Sequence, residues 1–166
     1  MLTDITGTFV KIVFAEDADI FLARGLAKRP ASRFNRPGEN ALYLSPNAES
    51  ARVAIGEYVK PGDPPRFLLR YEVSPCSLFD LRHPNNGDIY ELARQSWRPV
   101  LARGEEPASW QASDHIRSSG HKGLIDPSRR PPGLRHITLF HWNMPDAPTV
   151  RQIGGPEPIE VPPDYR

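Results

Sequence analysis

Residues 32–45 read Ser32-Arg33-Phe34-Asn35-Arg36-Pro37-Gly38-Glu39-Asn40-Ala41-Leu42-Tyr43-Leu44-Ser45. They place Arg33 and Asn35 in front of a Pro-Gly pair and then enter a short apolar run that carries the hydroxyl of Tyr43. Proline presets its backbone angle and glycine accepts positive φ, so the pair predicts a tight turn that leads into a strand. A guanidinium and an amide delivered by such a turn suit a planar or anionic small molecule.

The composition of the whole chain is that of an ordinary globular protein. Its 166 residues, 39% apolar and 25% charged, fit one domain that spans residues 1–166. The net charge of +1 gives no electrostatic signature for nucleic acid or an anionic membrane. The 19 prolines favour short elements with many fixed turns and argue against a helical bundle. We expect a core over about residues 9–143 and an extended C-terminal tail over residues 144–166.

The single cysteine, Cys76, excludes an internal disulfide, and we expect it to be a small buried filler rather than a nucleophile. The N-terminus lacks the basic region and apolar run of a signal peptide. No stretch approaches the ~18 apolar residues of a membrane span. These features predict a cytoplasmic location.

Hydrophobic periodicity predicts scattered strands and short helices, which together indicate an α+β fold. The predicted strands cover residues 9–15, 41–44, 66–73, 77–81, 123–128, 136–142 and 150–153. The predicted helices cover residues 17–26, 45–58 and 89–102, with Pro99 as a break or kink in the third. A further helix is predicted from Ser109 or Ser113 to Gly120.

Lys11 interrupts the first predicted strand and falls on the same face as Phe9 and Val13. A lysine there is costly unless it is paired or opens onto a cavity. Alternatively, this strand lies at the edge of a sheet and its lysine reaches water.

The five histidines of the chain show no metal-ligand spacing, and we expect no metal site. They are His83, His115, His121, His136 and His141.

The order of several motifs resembles that of the RES domain family. Residues 32–38 and 41–45 are similar to the first half of the family signature, and residues 123–128 with 139–140 are similar to its second half. Residues 67–73 and 78–81 match the central strands of the family, and residues 10–13 fall where the family begins. The resemblance covers about residues 9–143.

This resemblance implies an ADP-ribosyltransferase-like fold, with two small packed sheets and short helices around an NAD cleft. RES proteins are toxins of bacterial toxin–antitoxin pairs and consume NAD as a substrate. Their partner is a helix-turn-helix antitoxin that blocks the cleft, and a homodimer within the complex is a further expectation. Direct binding to nucleic acid or a membrane is not expected.

The resemblance also implies roles for single residues. Arg33 would hold a phosphate or carboxylate-like group, or else brace the turn at the surface. Tyr43 would face the nicotinamide, or else be a core tyrosine with its hydroxyl at a rim. Asn35 would mainly fix the turn, with substrate contact secondary. Ser128 would hold a phosphate or a ribose hydroxyl, or else cap a turn.

Two departures from the family pattern affect the expected chemistry. Lys11 stands where the family has an arginine, so the charge is kept but the bidentate fork is lost. The family glutamate lies in the helix after the tyrosine strand, where this chain has Ala54. Glu57 is the first candidate to replace it, and Glu49 is the second. Either carboxylate would stabilise the oxocarbenium-like transition state of glycosidic cleavage.

Three functions are therefore expected. The first is a toxin that degrades NAD by cleaving the nicotinamide–ribose bond, with water or phosphate as the acceptor. The second is an ADP-ribosyltransferase that modifies a host-cell protein. The third is a non-catalytic RES-like protein that only binds a partner. The sequence leaves the acceptor open.

Overall fold

The computed structural model describes residues 1–17, 21–127, 135–163 and 165. In chain order its strands are β1 (Leu2–Phe14), β2 (Leu42–Leu44), β3 (Arg66–Asp80), β4 (Gly123–Pro127), β5 (Arg135–Leu139) and β6 (Val150–Ile159). The helices are α1 (Ala48–Ile55), α2 (Gly87–Ala93), α3 (Arg98–Ala102) and α4 (Ala108–Ser118). Short 3-10 turns cover Ala15–Asp17, Gly56–Tyr58 and Pro84–Asn86. This mixture confirms the expected α+β class.

The six strands form one sheet with two unequal halves. In the long half, β3 pairs antiparallel with both β1 and β6, and in the short half β5 pairs antiparallel with β4 and β2. Phe79 and Asp80 of β3 join the halves by pairing parallel with Leu124 and Ile125 of β4. The two small sheets of the expectation are therefore connected through hydrogen bonds.

A further bridge brings the far end of the short half back to β1. The backbone N–H of Val10 donates to the carbonyl of Ser45 at 2.8 Å, and the N–H of Ser45 donates to the carbonyl of Val10 at 2.9 Å. The main apolar cluster packs inside this ring of strands. It includes Phe9, Val13, Leu42, Leu44, Leu69, Tyr71, Ile125, Ile137, Leu139 and Trp142.

Smaller apolar clusters attach the helices to the sheet. Ala112 and Ile116 of α4 pack with Phe34, Leu124 and other apolar residues on one side of the sheet. Ala51 of α1 packs with residues of β1 and β3 on another. The longest helix, α4, has 11 residues. None of the helices in the described residues has the length and apolar character needed to cross a membrane.

Several element boundaries differ from the sequence-based expectation. The helix predicted over residues 17–26 is wrong, since residues 15–17 form a 3-10 turn and residues 21–26 are not helical; residues 18–20 lie outside the described part. Residues 66–80 are a single strand because pairing with β1, which is interrupted by a bulge at Ser74 and Pro75, resumes at Cys76. The helix predicted over residues 89–102 is two helices, and Pro99 lies in the first turn of the second, where a proline is tolerated.

The ends of two further elements also differ from those expected from the sequence. Asn47, not Ser45, caps α1, and its side chain accepts a hydrogen bond from the Ser50 N–H. The short strand predicted near residue 150 extends to Ile159, so part of the C-terminal segment pairs with β3. Cys76 is half-buried against the main core, and burial raises the pKa of its thiol to about 11. The Cys76 thiol therefore stays protonated at neutral pH, as expected for a cysteine that only fills space.

Gly123 is required by the close approach of β4 and β5. A Cβ at this position would collide with the carbonyl oxygen of Thr138 and lie 3.0 Å from Leu139 Cα. We expect Gly123→Ala to lower the free energy of unfolding by about 1–3 kcal/mol, as measured by chemical denaturation. Gly87→Ala is the control, because its helical φ of −58° suits alanine and nothing lies within 4 Å of the added Cβ. Equal stability of the two variants would contradict this packing.

Candidate active site

The short half of the sheet has one apolar face and one polar face. Tyr43 lies opposite Thr138, and Asp126 lies opposite His136. Side chains of alternate residues along a strand share a face, so these four residues point to the same side of the sheet. We call this side the polar face. The residues between them point into the main core.

The polar face forms the floor of a cleft with a volume of about 440 Å³, within the range of small-molecule sites. Lys11 and Ile12 of β1 contribute one wall, and Ser32–Phe34 contribute another. The third wall comes from α1 and the following 3-10 turn, with Trp97 and Tyr165 beside it. Lys11, Arg33, Tyr43 and Glu57, predicted from distant parts of the sequence, all line this cleft.

The hydroxyl of Tyr43 fastens the arginine-bearing turn to β2. It donates to Asn35 Oδ1 at 2.7 Å and accepts from the Phe34 N–H at 2.9 Å. Burial raises the pKa of Tyr43 to about 12, so the hydroxyl remains a donor at neutral pH. The ring lines the cleft while the hydroxyl is engaged by the turn, which gives Tyr43 a structural task besides its predicted contact with nicotinamide.

Asn35 lies behind the turn and is only 1% exposed. Its amide nitrogen donates to the carbonyls of Pro30 and Arg36, and its amide oxygen accepts from Tyr43. It does not contribute to the lining of the cleft. The prediction that Asn35 fixes the turn agrees with these contacts, whereas a role in binding the substrate would require it to act through its neighbours.

Helix α4 holds the same turn from the other side. Trp110 Nε1 donates to the Ser32 carbonyl at 2.8 Å, and the Ser109 hydroxyl donates to the Arg33 carbonyl. The Arg117 guanidinium donates to the Phe34 carbonyl at 2.8 Å. Three consecutive carbonyls of the turn are therefore fixed by side chains of one helix, and the backbone that carries Arg33 is rigidly placed.

Arg33 extends from this turn into the cleft and pairs with a carboxylate that sequence reasoning missed. Its Nη1 lies 3.3 Å from Asp126 Oδ2, and the two side chains are 20% and 17% exposed. The pairing holds the guanidinium at the floor while leaving other donors of its fork for a ligand. Asp126 falls within the motif at residues 123–128, but only the register of β4 against β5 places it on the polar face, so the sequence carries no signal for this pairing.

Lys11 opens onto the cleft, which is the first of the two alternatives expected from its strand. Its Nζ donates to the Tyr43 carbonyl at 3.3 Å and lies 4.5 Å from the centre of the Phe21 ring. Burial, with a smaller effect from the nearby charge of Arg29, lowers the pKa of Lys11 to about 8. The ammonium is thus charged at neutral pH in a position where burial opposes the charge.

The structure separates the two candidate carboxylates. Glu57 lies in the 3-10 turn after α1, lines the cleft and is 4.0 Å from Arg98, whose guanidinium packs on the Tyr58 ring. Glu49 is near the start of α1, accepts a hydrogen bond from Tyr165 and lies outside the lining. Glu57 is therefore the better placed of the two for chemistry in the cleft.

The polar face also holds a histidine, His136, for which the sequence predicted no role. His136 Nδ1 lies 3.0 Å from Ser45 Oγ, and both residues line the cleft. Among the described residues, no group of three His, Cys, Asp or Glu side chains is arranged to hold a metal ion. Ser128, the remaining predicted binding residue, lies outside the described residues.

Comparisons with known proteins identify a family. The RES domain model matches residues 15–162, whereas no curated protein matches the sequence. A chain in the crystal structure of the M. tuberculosis MbcT–MbcA toxin–antitoxin complex is similar, with a TM-score of 0.63 at 16% identity. The match covers 95% of this chain and 86% of that chain. Together these matches confirm the expected ADP-ribosyltransferase-like α+β fold.

Replacing Tyr43 by phenylalanine tests the fastening of the turn. The variant leaves the Phe34 N–H and Asn35 Oδ1 without their partner, so we expect a loss of about 1–3 kcal/mol in the free energy of unfolding. Faster hydrogen exchange of the Phe34 amide, followed by NMR, should accompany it. Tyr90→Phe is the matched control. Unchanged exchange at Phe34 in the Tyr43 variant would show that the hydroxyl does not hold the turn.

Replacing Lys11 by methionine tests the cost of the buried charge. The folded pKa of about 8 lies below the ordinary 10.5, so between these values the unfolded chain binds more protons and wild-type stability rises with pH. We expect Lys11→Met to be more stable than wild type by about 1–2 kcal/mol at pH 7. That advantage should shrink between pH 8 and pH 10.5 in paired denaturation experiments. A difference independent of pH would contradict the lowered pKa.

Proposed function

The chain belongs to the RES domain family, and on that premise we propose that it cleaves the nicotinamide–ribose bond of NAD. The acceptor is water or phosphate, so the reaction consumes NAD. The observation that carries the proposal is the convergence of Lys11, Arg33 and Glu57 on one cleft. Two cations and a carboxylate are the charges that a dinucleotide substrate and its ribosyl cation require.

The two cations suit the diphosphate of NAD. The planar guanidinium of Arg33 offers paired donors to phosphate oxygens. Lys11 supplies a second charge from the wall formed by β1, and its lowered pKa of about 8 leaves it charged at neutral pH. The cation is already partly dehydrated by burial, which strengthens its attraction for a phosphate that enters the cleft.

The carboxylate of Glu57 would act on the sugar. Cleavage breaks the bond between ribose C1′ and the nicotinamide nitrogen, and the bonding electron pair returns to the pyridine ring as neutral nicotinamide leaves. Positive charge then develops on C1′ and the ribose ring oxygen. A carboxylate near that charge lowers the barrier, as in other glycosidic reactions.

The aromatic walls supply a place for the nicotinamide ring. Phe34, Tyr43, Tyr58 and Trp97 all line the cleft. Aromatic side chains bury a planar ring by offset stacking and exclude water from its surroundings. In this arrangement the predicted contact of Tyr43 with nicotinamide would be made by its ring, since its hydroxyl is bonded to the turn.

We further propose that the chain is the toxin of a toxin–antitoxin pair. The support is the family and the similarity to a chain from the M. tuberculosis toxin–antitoxin complex. The partner would be a helix-turn-helix antitoxin that covers the cleft, and loss of NAD in the absence of that partner would stop growth. A homodimer inside the complex remains part of this proposal.

Transfer of ADP-ribose to a protein is the second candidate. Glu57 is 49% exposed, so an acceptor side chain of another protein could approach the carboxylate from solvent. This reaction would leave most NAD intact while attaching label from the adenine half of NAD to a protein band.

The experiment compares Glu57→Gln with Glu49→Gln as a matched pair. The purified proteins are incubated with NAD, with and without phosphate, and released nicotinamide is measured by chromatography. We expect wild type and Glu49→Gln to release nicotinamide and Glu57→Gln to be slower by about 10²-fold or more, because only Glu57 would stabilise the ribosyl cation. Expression of wild type alone should arrest bacterial growth, and expression of Glu57→Gln should not.

Each failure has a separate meaning. Nicotinamide release that survives Glu57→Gln but not Glu49→Gln would assign the chemistry to the other carboxylate. Label on a protein with little free ADP-ribose would favour the transferase. No release, no label and no growth arrest would identify a non-catalytic partner-binding protein.

A further inference from the structure

Three side chains from three neighbouring strands form a row across the floor of the cleft. Ser45 follows β2, His136 lies on β5 and Asp126 lies on β4. Asp126 is the register partner of His136, and Ser45 Oγ is 3.0 Å from His136 Nδ1. All three line the cleft. The row thus places an imidazole between a hydroxyl and a carboxylate within the candidate site.

The hydroxyl end of this row is firmly placed. Ser45 is 6% exposed, and the backbone bridge with Val10 fixes its main chain from both directions. Its hydroxyl engages Nδ1, so the orientation of the ring is set from that side. In the tautomer whose Nδ1–H donates to Ser45 Oγ, the basic lone pair of the ring is on Nε2, so proton exchange with a ligand uses Nε2.

The carboxylate at the other end of the row, Asp126, forms an ion pair with Arg33. Asp126 is paired with Arg33 at 3.3 Å and lies next to His136 across the β4–β5 ladder. Side chains directly opposite each other in such a ladder are about 5 Å apart, close enough for electrostatic support. Lys11 faces the same cleft from β1. Asp126 is therefore positioned to stabilise an imidazolium that forms during a reaction.

We propose that His136 is the general base of the hydrolytic reaction and that Ser45 positions its ring; this inference rests on the proposed NAD cleavage. The water oxygen forms a bond to C1′ as the bond from C1′ to the nicotinamide nitrogen breaks. The bonding electron pair leaves with nicotinamide, and one water proton passes to His136 Nε2 and later to solvent. The products are ADP-ribose, nicotinamide and one proton.

A general base and a structural residue can be told apart by comparing water with phosphate as the acceptor. Water is a weak nucleophile that gains from the removal of a proton, and a positioned base contributes about 10²–10⁴-fold to such steps. Phosphate dianion already carries the charge needed for attack and requires no base. Loss of His136 should therefore slow hydrolysis selectively and leave phosphorolysis in place.

The test uses His136→Asn, with ADP-ribose and ADP-ribose 1-phosphate quantified by chromatography in phosphate-free and phosphate-containing buffer. We expect the kcat for hydrolysis to fall by about 10²-fold or more while phosphorolysis stays within about 3-fold of wild type. Ser45→Ala should show the same selectivity with a smaller fall, about 10-fold, because the base is present but less well oriented. His115→Asn, an exposed change on α4, is the matched control and should match wild type.

Other outcomes overturn the assignment. Equal losses in both reactions would indicate a structural role, and a raised KM for NAD with unchanged kcat would indicate a binding role. Wild type that forms ADP-ribose 1-phosphate but no ADP-ribose would leave the proposed function intact and refute a base for water. Release of no nicotinamide in either buffer would instead refute NAD cleavage itself. His136→Gln, compared by thermal melting, replaces the asparagine variant if that variant does not fold.

Discussion

The site depends on the hydrogen bonds that the Tyr43 hydroxyl makes with the Phe34 N–H and the Asn35 side chain. These bonds join a turn to a strand whose neighbours form the floor of the cleft, so the position of Arg33 follows from the sheet. Helix α4 fixes the other side of the same turn by bonding the carbonyl of Arg33 and those of its two neighbours. A guanidinium held in this way loses little further freedom when it binds an anion, which favours binding.

Strand alternation determines what the cleft contains. In the short half of the sheet one set of alternating residues fills the core, and the other set presents tyrosine, threonine, histidine and aspartate to the cleft. Lys11 adds a positive charge to the cleft. Burial disfavours that charge and so lowers the pKa of Lys11 to about 8. A charge kept against its desolvation is typical of a functional site, where stability is lowered in favour of ligand binding. Polar groups and apolar packing thus come from the same short strands.

The sequence predicted the elements that rest on local pattern. The turn at residues 37–38, the strand with Tyr43 and helix α4 were recognisable, and Lys11, Arg33, Tyr43 and Glu57 do converge. It failed where tertiary contacts decide. Residues 17–26 contain apolar positions and a cap, yet residues 21–26 are not helical. The carbonyls of Leu22 and Ala23 instead accept hydrogen bonds from the side chains of Trp142 and Arg29. The roles of Asp126 and His136 depend on strand register, which places residues ten apart in sequence side by side. Composition and spacing do not encode that register, so these two residues emerged only from the structure.

The most direct measurement is a crystal structure of the protein with an NAD analogue whose nicotinamide riboside bond resists cleavage. The account predicts diphosphate oxygens within about 3.5 Å of Lys11 Nζ and the Arg33 guanidinium, as charge-assisted hydrogen bonds require. It also predicts the ribose C1′ beside Glu57, with the nicotinamide ring against the aromatic wall. An analogue bound outside the cleft, or one whose diphosphate contacts neither Lys11 nor Arg33, would contradict the account.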